Sequence, residues 1–304
     1  MPRFTVESWS PEYGSPVDDA VADDPRQVEV DPTVELPLER WQPISPTGVS
    51  APGAITFVDG VRRIDARLWF THEDDSTMGL CASYAAGVVR CGSRAEIETI
   101  AVGRGVFSRV ATDSIATAHG EYAPYRGASD DFDALSVAIQ LQMGRLEREV
   151  AAAAASADLC VLDGPLSARD NIPGAVGYIK SHRANYLPGE GQRTVAALNP
   201  GQRTPVFLTQ TTWSRYSWYL RLPGGQGHPW AGVVRCEVTT GRPIAEVCSI
   251  ADITAATLPR YASHEHRDTR APQNLYPIAG LEQQLRHRLG DRELMVRALR
   301  RVAG

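Results

Sequence analysis

A change of hydrophobic period between residues 54 and 166 constrains this chain more than any other feature. Strand-like stretches come first. "AITFVDG" is followed by the alternating "RIDARLWF", with Ile64, Ala66, Leu68 and Phe70 assigned to one face. "GLCASYAAGVVRC" and "AEIETIAVGR" follow, separated by Gly and Ser turn signals. From Phe132 to Ala157 the pattern shifts: no proline, much alanine, and an apolar stripe at Ile139, Met143, Leu146 and Val150, the spacing of one helix face. Directly afterwards comes "LCVLDGPL", a continuous apolar run that suits a strand buried on both faces. An antiparallel meander, a helix and a buried strand beside the first predict an α/β fold on a mixed sheet. Two strands would then end next to each other, each in an Asp-Gly turn, at Asp59 and at Asp163.

The remainder is less regular. "AVGYIKSHRANYL" fits strand or helix, while "PVFLTQTTWSRYSWYLRL" and "WAGVVRCEV" read as further strands. Helices are predicted over about Ala245–Ala256, Ile278–Leu289 and Asp291–Val302. At 304 residues and 43% hydrophobic the chain can bury a full core, and no apolar run is long enough for a membrane helix. No secretory signal is visible, and the five cysteines form no CxxC pair. Reduced thiols in a cytoplasmic protein are expected, rather than a zinc site.

Charge is unevenly spread. Residues 1–50 carry ten acidic groups and three arginines, so an acidic, Pro-rich leader, expected to be partly disordered, masks a mildly basic body over 51–304. The net charge of −5 therefore does not exclude a nucleic-acid partner.

Adjacent aspartates repel, and with a third carboxylate they make a hard oxygen site for Mg²⁺ or Mn²⁺. Two such ions can activate water and stabilise the leaving oxygen in phosphodiester cleavage. The third carboxylate should come from the helix packed beside the strands. Glu147 and Glu149 flank its apolar stripe on opposite sides, so helical geometry does not choose between them.

From "FVDG" onwards the chain resembles the NurA nuclease family. The matching segments, in order, are the helical Glu before "VLDGPL", then "GYIKSHRANYL", "WYLRL", "VVRCEV" and "RAPQNLYPIAGLEQQLRHRLGD". The resemblance implies an RNase H-like mixed sheet flanked by helices, with extra strands and a helical C-terminal part. It implies Asp59, Glu147 and Asp163 as catalytic metal ligands for Mn²⁺ or Mg²⁺, with two ions. It also implies a homodimer that cleaves DNA ends and single strands, in DNA end processing with a HerA-type hexameric translocase. Two departures stand out. Val61 replaces the serine common after the family's first DG, and the family's late Tyr and His align only loosely with Tyr276 and His287, leaving Glu282 as a substitute carboxylate.

Lys180, His182 and Arg183 follow the second motif and would approach a phosphate in the NurA-like arrangement. Arg215, Arg221 and Arg235, set among Trp213, Tyr216, Trp218 and Tyr219, resemble phosphate clamps beside a base-stacking strip. The competing reading makes them solvent-facing arginines on a strand pair with core aromatics. "SHEHRD", with His264, His266 and Asp268, reads as a loop with incidental histidines. Two rival functions remain: a catalytically decayed NurA-like DNA-binding or scaffold subunit, and more distantly a carboxylate-pair glycosidase.

Overall fold

The computed structural model describes residues 28–303 apart from 73–74, 111–112, 155, 168–171, 173, 181–185, 212 and 226. Within those residues the chain forms one large mixed sheet flanked by helices. Strands β2 (Ile55–His72), β3 (Asp75–Cys91) and β4 (Ala95–Ser108) make the expected antiparallel meander. The short β5 (Ile115–Thr117) and β6 (Gly120–Arg126) extend that edge. Helix α1 (Phe132–Ala153) follows, its first turn capped by Asp131 Oδ2, which accepts from the amides of Asp133 and Ala134. The chain then enters β7 (Leu159–Asp163), which lies parallel to β2, and β8 (Ala175–Ile179), parallel to β7. Beyond these come α2 (Gly189–Ala197), β9 (Phe207–Gln210), β10 (Ser214–Arg221) and β11 (Val233–Thr239). Helices α3 (Ile244–Thr257), α4 (Tyr276–Arg288) and α5 (Arg292–Val302) complete the chain. With β1 (Glu29–Asp31), the sheet order is β1-β9-β10-β11-β8-β7-β2-β3-β4-β6-β5. The central run β4-β3-β2-β7-β8, with a helix between β4 and β7 along part of the intervening chain, is the mixed α/β sheet flanked by helices that the sequence predicts.

Alternation along β2 and β7 sorts the core onto two faces. Phe57, Val61 and Val161 pack with Ile278, Leu281 and Leu285 of α4 and with Val247 and Ala251 of α3. Val58 and Leu162 pack on the other face with Val150 of α1, and Ile139 and Met143 continue that face further along the helix. Three of the four predicted stripe residues of α1 are buried, and Leu146 is partly so.

The first Asp-Gly is not a turn. β2 runs straight through Asp59 and Gly60 and pairs with β3 along its whole length, so the strand expected to end there continues for twelve residues more. Its register shifts instead between Ile64 and Ala66, where Asp65 is the extra residue of a bulge. Asp65 is buried but satisfied: Arg63 Nε, Ser83 Oγ and Tyr122 Oη donate to it at 2.8, 2.5 and 3.0 Å. The bulge also divides the face assigned to Ile64, Ala66, Leu68 and Phe70. Ile64 packs towards α1, whereas the other three pack in the cluster of Cys81, Tyr122 and Leu299 of α5.

The segment "AVGYIKSHRANYL" resolves as strand over its first five residues. Residues 28–50 of the predicted leader lie on the body. β1 pairs with β9, Glu35 makes an ion pair with the buried Arg203 at 2.9 Å, and Trp41 packs on Phe207. Residues 1–27, including Trp9, lie outside the described residues.

Candidate active site

Parallel pairing of β2 with β7 aligns Val58 with Leu162, and one further step places Asp59 beside Asp163. Asp59 shares the α4 face with Phe57 and Val61. Its cross-strand partner Gly87 confirms this, because a Cβ there would meet Leu281 of α4 at 3.0 Å. Asp59 is buried, and its carboxyl is held well above the ordinary value. Burial is the largest cause and the charge of Asp163 the next. Lys180 opposes them, while Glu147 and Glu282 add to the repulsion.

The second Asp-Gly does turn. Gly164 has φ 95°, a conformation glycine adopts without strain, and exchanges backbone hydrogen bonds with Tyr178 of β8. Asp163 thereby ends β7 next to the end of β8, where Lys180 lies. Lys180 Nζ donates to Asp163 Oδ2 at 2.5 Å and to Asn274 Oδ1 at 3.0 Å.

The two helical glutamates differ in burial. Glu149 is exposed, whereas Glu147 is 1% exposed and faces the sheet. Gly60 makes that possible: a Cβ there would lie 2.7 Å from Glu147 Oε1 and 3.0 Å from Met143 Cγ. The glycine of "FVDG" thus serves close approach of α1 to β2 rather than a turn. We expect Gly60→Ala to displace the flexible Glu147 carboxylate before it moves backbone. Overpacking of this kind costs about 1–3 kcal/mol. If Glu147 serves catalysis, cleavage should fall about a hundredfold, as for a ~1 Å misplacement. Paired melting and cleavage assays on this variant check both.

A hydrogen-bonded chain that sequence reasoning missed encloses the α4 side of the site. Asn274 Nδ2 donates to Asp268 Oδ2 at 2.6 Å, Arg270 donates to Asp268 and, at 2.7 Å, to Glu282, and Arg286 donates to the other oxygen of Glu282. Asn274 is fully buried, and "PQNL" before the helix was the only signal that could have marked it. Burial alone would raise Glu282, but its bonds from Arg270 and Arg286 outweigh this and hold it below its ordinary value. Asp268 is likewise held low: burial opposes the shift, and Asn274 and Arg270 overcome it. Carboxylates depressed in the folded state stabilise it above their unfolded pKa values, and that contribution disappears as pH falls through the folded values. Denaturant stability should therefore drop as the pH is lowered below about 4, and less steeply in Glu282→Gln.

The predicted basic residues separate. Arg215 and Arg235 are buried and converge on Glu237 Oε2 at 3.2 and 3.3 Å. Their guanidinium groups stack over Trp213 and Tyr186. Glu237 Oε1 accepts the Leu166 amide at 2.7 Å, so this ion-paired cluster grips the loop that follows Asp163. Arg221 donates to the carbonyls of Ala231, Pro229, Val195 and Ala196. All three arginines therefore hold the interior and its loops rather than forming a solvent-facing strip. Trp218 and Tyr219 are core residues, and Trp213 and Tyr216 are partly buried. His182 and Arg183 lie outside the described residues. Tyr276 opens α4, and His287 is exposed in its last turn.

Among the described residues no three His, Cys, Asp or Glu side chains close around one point. The adjacent Asp59 and Asp163 nevertheless offer hard oxygen donors whose mutual repulsion, offset by the single charge of Lys180, a divalent cation complements. Such an ion often takes only one or two protein carboxylates, with water and substrate phosphate filling its other positions.

No protein-family model matches the chain, and no curated protein matches it. Among solved structures it is similar to the crystal structure of the NurA nuclease from Sulfolobus solfataricus. The identity is 11% and the TM-score 0.49, over 83% of this chain and 86% of that one.

Proposed function

We propose that this protein is a divalent-metal-dependent deoxyribonuclease that cleaves phosphodiester bonds at DNA ends and in single strands. The observation that carries the reading is the pairing of buried Asp59, within β2, with partly buried Asp163, at the end of the parallel strand β7, and the anchoring of Lys180 on the second aspartate. Paired carboxylates complement a divalent cation beyond the single charge that Lys180 supplies, and Mn²⁺ or Mg²⁺ held there would take phosphate oxygens in its remaining positions. Asp59 and Asp163 would hold the metal, which when bound supplies an activated water and neutralises charge on the phosphate. Lys180, steadied by Asn274, brings a positive charge beside Asp163 that favours a phosphoryl group as it gains charge. Glu147 adds negative charge from the α1 face of β2, across the Gly60 gap. Homodimerisation and work with a HerA-type translocase belong to this proposal through the sequence resemblance.

The test is cleavage of end-labelled single- and double-stranded DNA with Mn²⁺, with Mg²⁺ and with EDTA, comparing wild type with Asp59→Ala. Metal-dependent cleavage that disappears in the variant supports the reading. Salt-sensitive DNA binding without cleavage under any of these conditions, even with a translocase partner added, would establish the decayed scaffold instead.

A further inference from the structure

We propose that the exposed turn His264–Arg267, together with the Tyr276 ring, is the docking platform for a single DNA strand entering the site. This rests on the nuclease reading above. Of the arginines that the sequence marks for strand contact, Arg215, Arg221 and Arg235 are engaged with Glu237 and with backbone carbonyls and do not form the expected strip. The turn offers exposed groups instead. His264, His266 and Arg267 are all exposed. His264 Nδ1 and Tyr276 Oη lie 2.8 Å apart, and the His264 ring centroid is 5.8 Å from that of Tyr276 and 5.7 Å from that of His266. The Arg267 guanidinium sits 5.9 Å from the Tyr276 centroid. Three rings and a guanidinium are thus gathered on one solvent-facing patch. Of the two acidic groups in the segment, Asp268 is engaged by Asn274 and Arg270, and Glu265 is exposed and lowers the charge of the turn.

Two observations tie the patch to the carboxylates. The turn is closed by the amides of Arg267 and Asp268 donating to His264 O at 2.9 and 3.1 Å. Asp268 then leads through Asn274 and Lys180 to Asp163 in three side-chain hydrogen bonds. Tyr276 begins α4 two residues after Asn274, so both halves of the patch are anchored on this chain of contacts. A strand whose phosphate lies near Lys180 would therefore have the patch within reach of a neighbouring nucleotide. Rings accept any base face, and a guanidinium contacts phosphate through paired donors, which suits sequence-tolerant binding of an unpaired strand.

Fluorescence anisotropy with a labelled oligo-dT strand and a blunt duplex, in EDTA so that nothing is cut, tests this on the full chain. Arg267→Ala and Tyr276→Ala should each weaken single-strand binding about tenfold, whereas Tyr276→Phe, which keeps the ring, should stay close to wild type. A His264→Ala/His266→Ala/Arg267→Ala variant should lower the salt dependence by about 0.7 per phosphate contact removed. Its melting temperature should match wild type, because these side chains are exposed. Wild-type affinity and salt slope in that variant would overturn the platform, as would a loss confined to the duplex, while Asp59-dependent cleavage would still stand. A wild type that neither binds nor cuts DNA would instead overturn the nuclease reading, and the platform with it.

Discussion

Asp59→Asn is expected to abolish metal-dependent cleavage and, in the same protein, to raise the melting temperature. The two effects have one cause. Asp59 is buried near Asp163, Glu147 and Glu282, and its charge is opposed by desolvation and by those carboxylates, while Lys180 favours it. An asparagine keeps the shape and removes the charge, so the folded state no longer bears the repulsion. Relief of a functional strain of this kind is worth about 1 kcal/mol, or about 2 °C in a domain of this size. Differential scanning calorimetry without metal checks the sign. Adding Mn²⁺ should then stabilise wild type by mass action and leave Asp59→Asn almost unmoved. A variant that melts below wild type, or that responds equally to Mn²⁺, would show that Asp59 is an ordinary core carboxylate.

That result would also explain why part of the site was legible in the sequence and part was not. Strand periodicity and a buried apolar run suffice to place β2 beside β7, because a strand buried on both faces needs a parallel neighbour and a covering helix. Once that pairing is granted, Asp59 and Asp163 meet. The role of Gly60 could not be read this way. An Asp-Gly after an apolar run looks the same whether the chain turns or a helix comes close, and the distinction lies in Glu147, 87 positions away along the chain. Arg215 and Arg235 illustrate the same limit. Alternation along β11 puts Arg235 and Glu237 on one face, but only the pairing with β10, which brings Arg215 to the same carboxylate, reveals that this face is closed. Likewise His264 and Tyr276 are twelve residues apart, across a segment with no regular period, so no local pattern brings them together. Features set by one element's own periodicity were visible; those set by a second element's side chain were not.

Glu237 provides the sharpest test of how the interior supports the site. It is fully buried, it is the counter-charge to Arg215 and Arg235, and it accepts the amide of Leu166, three residues after Asp163. Gly177 makes room for this junction, since a Cβ there would lie 2.9 Å from Glu237 Cγ and 3.1 Å from Gly164 O. Glu237→Ala strands two buried guanidinium groups and a buried amide, and should cost about 3–5 kcal/mol. Glu237→Gln keeps an acceptor for Leu166 but loses the charge, and should cost about 1.5–3 kcal/mol. Replacing Arg215, Arg235 and Glu237 together by leucine removes the buried charges along with their desolvation penalty, so stability should recover most of the loss. The Leu166 amide stays untethered in that triple variant, and the loop beyond Asp163 stays loose. Cleavage should therefore remain low in the stable triple variant and be better retained in the less stable Glu237→Gln. Activity that instead follows stability across the three proteins would reduce Glu237 to a folding residue, and Asp163 would then owe its position to β7, Gly164 and Lys180 alone.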